Sequence, residues 1–169
     1  MNTLIIVRHA KSGWDNPDLK DHERILTKRG KTDAPLMAVH LKHLLAQHNT
    51  PPEIIISSSA VRALDTARIF AKEFGIDEQA IDVRPELYLP DVSTLLDVVN
   101  TIDSRRKCVI IFSHNNGVTD FVNYLCGSDI LNIPTCGIAI INTPVWNEVS
   151  QGNCTLAAFE YPRKIKGDV

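Results

Sequence analysis

The sequence is short of several features, and each shortage narrows what the chain can do. Its formal net charge is −2, so it has no global basic field of the kind that gathers nucleic acid. No apolar run approaches the ~20 residues of a membrane span, and the first residues lack the basic and long apolar regions of an export signal. The four cysteines, Cys108, Cys126, Cys136 and Cys154, form no Cys-x-x-Cys pair. Together these absences predict reduced thiols in apolar surroundings and a cytoplasmic protein that engages neither membrane nor nucleic acid. The chain also has no repeat, low-complexity tract or linker. With 169 residues, 44% hydrophobic and 22% charged, it has the composition of one globular domain spanning 1–169.

What is present is an alternation of short apolar runs and amphipathic segments. TLIIV at 3–7, EIII at 53–56 and CVIIF at 108–112 read as buried strands. Between them lie helical patterns. One carries Ala34, Met37, Ala38, Leu41, Leu44 and Leu45 on one face; a second runs from about Ala60 to a stop at Gly75. A third presents Leu95, Val98, Val99 and Ile102, and a fourth presents Val118, Phe121, Val122 and Leu125 before Gly127. GIAII at 137–141 and TLAAF at 155–159 read as edge strands. Strands separated by helices imply βαβ crossovers, so the expected fold is α/β, a three-layer sandwich around a mostly parallel sheet.

The informative feature is how the three central strands end. The first runs straight into Arg8 and His9, the second into SSSAVR with Arg62 on the first turn of the next helix, and the third into SHNNG with His114. Ligands of open α/β sheets bind beyond the carboxyl ends of the strands. Helix N-termini at that edge add free N–H groups and the positive end of a dipole. Three such junctions on one edge describe a site for a phosphate-like dianion.

LIIVRHAKS, DHERILTKRG, SSSAVRALDTA, RPELYLP and SHNNG, in that order from Met1 to about Gly127, resemble the histidine phosphatase superfamily, which is phosphoglycerate mutase-like in fold. Among its members they are most similar to the small SixA-type phosphohistidine phosphatases. The resemblance implies that His9 is the nucleophile and that Arg8, Arg62 and His114 hold the phosphate oxygens, with no metal or cofactor. The chemistry agrees with that division. Nearby arginines disfavour an imidazolium and so keep a histidine nucleophilic, and their forks match phosphate oxygens. Arg24 in DHERILT resembles the superfamily's additional phosphate arginine, and Ser57 sits where members often offer a hydroxyl or backbone contact. Lys11 and Ser12 either order the loop or touch the phosphate.

Glu86 in RPELYLP lies where larger relatives place a proton-donating acid, although a loop carboxylate paired with Arg84 fits the same position. His40 and His43, three apart on a helix, lack a plausible third ligand and read as a wet face. Only about thirty residues separate Gly75 from Cys108, and no other insertion is long enough for a cap. An open site favours a phosphatase acting on protein phosphohistidine. A small-molecule phosphomonoesterase and a non-catalytic phosphate- or phosphopeptide-binding module are the alternatives.

Overall fold

In the computed structural model, which describes residues 1–167, all six strands join one sheet. The strands are β1 (Asn2–Arg8), β2 (Ile54–Ser58), β3 (Asp82–Arg84), β4 (Cys108–Ser113), β5 (Ile138–Thr143) and β6 (Thr155–Glu160). The α-helices are α1 (Lys28–Gln47), α2 (Val61–Phe74), α3 (Val92–Asn100), α4 (Gly117–Cys126) and the short α5 (Pro162–Lys166). The spatial order is β3-β2-β4-β1-β5-β6. The first four strands in that order run parallel, and β5 and β6 pair antiparallel.

Alternation along β1 builds two cores. Ile5 and Val7 face Met37, Leu41, Phe70 and Phe112, whereas Leu4 and Ile6 face Val98, Val99, Phe121 and Val122. Side chains of a strand point to opposite faces, so a strand covered on both sides must be apolar throughout, as this one is. Helices α1 and α2 cover one face, and α3 and α4 the other. The result is the three-layer α/β/α arrangement expected from the alternation.

Three details differ from the sequence reading. β5 is not an edge strand, because β1 and β6 flank it, and the edges are β6 and β3. β3 has only three residues and no apolar run, so nothing in its composition marks it as a strand. Helix α1 also begins several residues before its apolar stripe, where the Thr27 side chain accepts the Gly30 N–H at 3.1 Å. The stops at Gly75 and Gly127 are as expected, each in the left-handed conformation that closes a helix.

The topology makes the crevice. β1 feeds α1 on one face, while its neighbour β4 feeds α4 on the other, so the connections part at the carboxyl ends of these two strands. Register sets what stands there. Arg8 pairs with Ser113, so His9 and His114 leave the sheet side by side, their ring centroids 5.2 Å apart.

Candidate active site

His9 is only 6% exposed, and its Nδ1 lies 2.7 Å from the Ala10 carbonyl oxygen. A carbonyl can only accept, so Nδ1 carries the proton and Nε2 keeps its lone pair. Arg62 Nε donates to Nε2 at 3.3 Å, which requires the same tautomer. Burial lowers the His9 pKa most. The Ala10 carbonyl opposes that shift, and the charges of Arg62, Arg8 and Arg24 add to it, leaving the group at about 3. At neutral pH this is an uncharged imidazole whose unprotonated Nε2 accepts from Arg62, with the charges of Arg8 and Arg24 nearby.

Asp21 holds two of those arginines, Arg62 and Arg24, in place. Arg62, 2% exposed, donates from Nη1 to the Asp21 carbonyl at 2.6 Å and from Nη2 to its carboxylate at 3.0 Å. Arg24 Nε donates to the other carboxylate oxygen at 3.0 Å, and its Nη1 donates to Ser12 Oγ at 2.8 Å. The Tyr88 hydroxyl donates to Asp21 Oδ2 in a short hydrogen bond. Partial burial pushes the Asp21 carboxyl up, but the hydrogen bonds from Tyr88 and Arg62 and the Arg62 charge outweigh it and leave the pKa at about 2. Burial, and then the Asp21 charge, raise the Tyr88 pKa, so its hydroxyl stays a donor.

His114 completes the wall. Ser58 Oγ accepts the Ala60 N–H at 3.2 Å and lies 2.7 Å from His114 Nε2. Nε2 is the acceptor within reach of the Ser58 hydroxyl proton, so the O–H is placed donating to Nε2, which assigns the ring proton to Nδ1. Burial, followed by His9 and Arg62, lowers the His114 pKa to about 2, so this ring is neutral too. Its Nδ1 is buried with no partner, and so is Nε of Arg8, whose Nη1 is fixed on the Ile133 carbonyl at 2.8 Å. Buried donors without acceptors cost on the order of 1–3 kcal/mol each. Both side chains line the same small cavity as His9, a setting complementary to an anion's oxygens.

Residues 4–88 match the sequence profile of the histidine phosphatase superfamily (branch 1). The chain belongs to this superfamily. It is 30% identical over 146 residues to an uncharacterised chloroplast protein of Arabidopsis thaliana, the match covering 82% of this chain and 65% of that protein. The chain therefore spans about 65% of the length of that curated relative. A solved structure from Agrobacterium tumefaciens, assigned to the phosphohistidine phosphatase SixA, superposes with a TM-score of 0.77 at 26% identity, over 95% of this chain and 98% of that one. The protein histidine phosphatase SixA complexed with tungstate superposes with a TM-score of 0.79 at 23% identity, over 96% and 99% of the two chains.

In this superfamily member, Arg8, His9, Lys11, Ser12, Arg24, Arg62 and His114 all line one cavity of ≈ 310 Å³. Ser57 does not. It is fully buried, with its hydroxyl on the Ser58 carbonyl at 2.9 Å, and the next residue along the strand, Ser58, is the serine that reaches His114. Side chains alternate along β2, so a one-residue difference moves the hydroxyl to the opposite face. Glu86 also stays outside the cavity. The turn Pro85–Leu87 buries Leu87, and Glu86 points outward, 45% exposed, to pair with Arg84 at 3.5 Å. Two residues on, Tyr88 turns back to Asp21.

Sequence reasoning missed Asp21, Tyr88 and Ser58, and also Trp14, Leu89, Asn115 and Thr135 in the lining. Trp14 lies with its ring centroid 3.8 Å from the Arg24 guanidinium carbon. A faint signal for Asp21 exists, since it stands three residues before Arg24 and its carboxylate is within reach of that side chain. His40 pairs with Glu160 at 3.2 Å. Among the described residues, no three His, Cys, Asp or Glu gather as a metal site would need. The same residues include no helix long and apolar enough to cross a membrane.

Proposed function

We propose that the protein is a phosphatase that takes a phosphoryl group onto His9 Nε2 and passes it to water, with phosphohistidine on a protein as its substrate. In the first step the Nε2 lone pair attacks phosphorus, the bond from phosphorus to the substrate nitrogen breaks, and the electron pair leaves on the substrate imidazole. In the second step water attacks, the P–Nε2 bond breaks, and inorganic phosphate departs with the water's proton released. Arg8, Arg62 and Arg24 bind the phosphoryl oxygens and stabilise their charge, the main contribution a protein makes to phosphoryl transfer. His114 adds its Nδ1–H. We take residues 1–169 as one catalytic domain without a cap, in the reducing cytoplasm; all four thiols are unpaired.

The observation that carries this reading is the pair of buried, unpartnered donors, Arg8 Nε and His114 Nδ1, on side chains that line one cavity with a neutral His9. A second observation bears on the substrate. Among the described residues lining the cavity, Asp21 is the single carboxylate, and at a pKa of about 2 it has no proton to give near neutrality. An alkoxide leaving group needs a general acid. An imidazole can leave once solvent has protonated its other nitrogen, so this site favours phosphohistidine over an alkyl phosphate.

Rapid quench with ³²P-labelled phosphohistidine peptide tests the mechanism. The label is expected on His9, acid-labile and base-stable, with activity retained in EDTA. Label on a serine or cysteine, or full turnover by His9→Ala, would overturn it.

A further inference from the structure

A second cavity, of ≈ 910 Å³, adjoins the phosphate site, and its lining includes Arg29, Asp33, Thr135, Phe159, Tyr161 and Lys166. Thr135 lines both cavities, and Arg29 Nη2 donates to its hydroxyl at 3.4 Å. Asn132 of the same wall accepts from Asn115 of the phosphate site at 2.5 Å. The two spaces therefore adjoin at Thr135.

The charge lining the second cavity is uneven. Asp33, whose side chain is 1% exposed, takes Lys166 at 2.5 Å and Arg29 at 3.5 Å. Among the described lining residues three cations, Arg29, Arg163 and Lys166, stand against the single carboxylate of Asp33, a positive surplus, and Arg29 is 63% exposed beside the seam at Thr135. The Phe159 and Tyr161 rings, centroids 5.3 Å apart, supply an apolar wall. Leu131, 99% exposed, immediately precedes Asn132. An exposed leucine with an exposed arginine beside a reactive pocket suits a polypeptide, whose backbone packs on apolar surface while its acidic side chains meet the cation.

We propose that this groove binds the segment of the substrate protein flanking its phosphohistidine, and that it selects acidic residues there through Arg29. The proposal rests on the phosphohistidine reading above and adds a specificity site to it. The groove has about three times the volume of the phosphate cavity, room for several residues of extended chain.

The test uses two chemically phosphorylated histidine peptides, one flanked by Asp and Glu and one by Lys, with p-nitrophenyl phosphate as a substrate too small to reach the groove. The acidic peptide is expected to have the higher kcat/KM, with the preference shrinking in 0.5 M salt. Arg29→Ala should lower kcat/KM for the acidic peptide about fivefold, through KM, the scale of one exposed ion pair. The same change should leave p-nitrophenyl phosphate hydrolysis unaltered, and Arg29→Lys should recover part of the loss. Equal rates for the two peptides, or a preference that survives Arg29→Ala, overturn the groove assignment. If neither peptide is hydrolysed, the phosphohistidine reading fails by itself, and calorimetry with the unphosphorylated acidic peptide decides the groove. Binding that weakens in Arg29→Ala supports it. No binding, or tighter binding of a single-stranded oligonucleotide, overturns it.

Discussion

The two ends of the sheet each hold a cavity, ≈ 310 Å³ at the carboxyl ends of the parallel strands and ≈ 380 Å³ at their amino ends, and the two have opposite chemistry. The first is walled by Arg8, His9, Arg62 and His114, the second largely by Met1, Leu44, Leu45, Ile140 and Ala158. Strand direction explains the contrast. Each βα unit delivers a helix N-terminus to the carboxyl end of the sheet, where N–H groups and positive dipole ends face outward. The amino end receives helix C-termini, whose last carbonyls are met by the following backbone, as the Leu45 carbonyl is by the His48 and Thr50 N–H groups. Burying two neutral histidines and an arginine at one end costs stability that the apolar end does not incur. Such a cluster persists when it does chemistry.

That contrast is sharpest under substitution. Arg62→Ala removes a buried guanidinium that touches both His9 and Asp21, and kcat/KM should fall by roughly 10²–10³, the range for loss of one preorganised electrostatic donor. Leu45→Ala at the opposite end should cost about 2–5 kcal/mol in denaturant unfolding and leave kcat/KM unchanged, because the void it creates is in the core, away from the residues that line the His9 cavity. An Arg62→Ala enzyme within threefold of wild type, or a Leu45→Ala enzyme with impaired turnover, would break the division between the two ends.

Acid separates the ends as well. His9 and His114 have native pKa values of about 3 and about 2, below the unfolded value near 6.5. Between pH 6.5 and about 3 the unfolded chain binds protons that the native chain refuses, so stability falls as pH drops through that window. Asp21, at about 2 in the native state, removes a further increment below pH 4. Thermal melts from pH 7 to pH 4 should show a falling Tm whose slope is shallower in His9→Asn and unchanged in Leu45→Ala. A wild-type Tm that is flat over this range would contradict the buried neutral histidines.

Much of this architecture was legible from residues alone, for a specific reason. Arg8–His9, Arg62 and His114 follow apolar runs directly, so the strands that place them are visible and their convergence follows from parallel topology. Asp21, Tyr88 and Thr135 come from loops, whose paths depend on tertiary contacts that no periodicity encodes. Ser57 and Ser58 show the finer limit. Composition says that a hydroxyl stands at the end of β2, but only the register decides which of two adjacent serines faces His114. β3 was invisible because three residues, Asp82 to Arg84, cannot display alternation.

Glu86 gives the smallest expected effect and the finest test of where the site stops. Its segment, RPELYLP, places Tyr88 against Asp21 and Glu86 against Arg84, so two residues of chain separate a group inside the cavity from one outside it. If Glu86 were the general acid, Glu86→Gln would slow hydrolysis of an alkyl phosphate by roughly 10²–10⁴ and phosphohistidine far less. From its exposed position the expected loss is under about threefold for both substrates, with stability within about 0.5 kcal/mol, the usual span for surface changes. The quantity to measure is the ratio of the two kcat/KM losses at one pH near neutrality. A ratio near one with small losses keeps the carboxylate outside the chemistry. A large loss confined to the alkyl ester would mean that the loop carries Glu86 inward when substrate binds, and would transfer the acid's role from solvent to this residue.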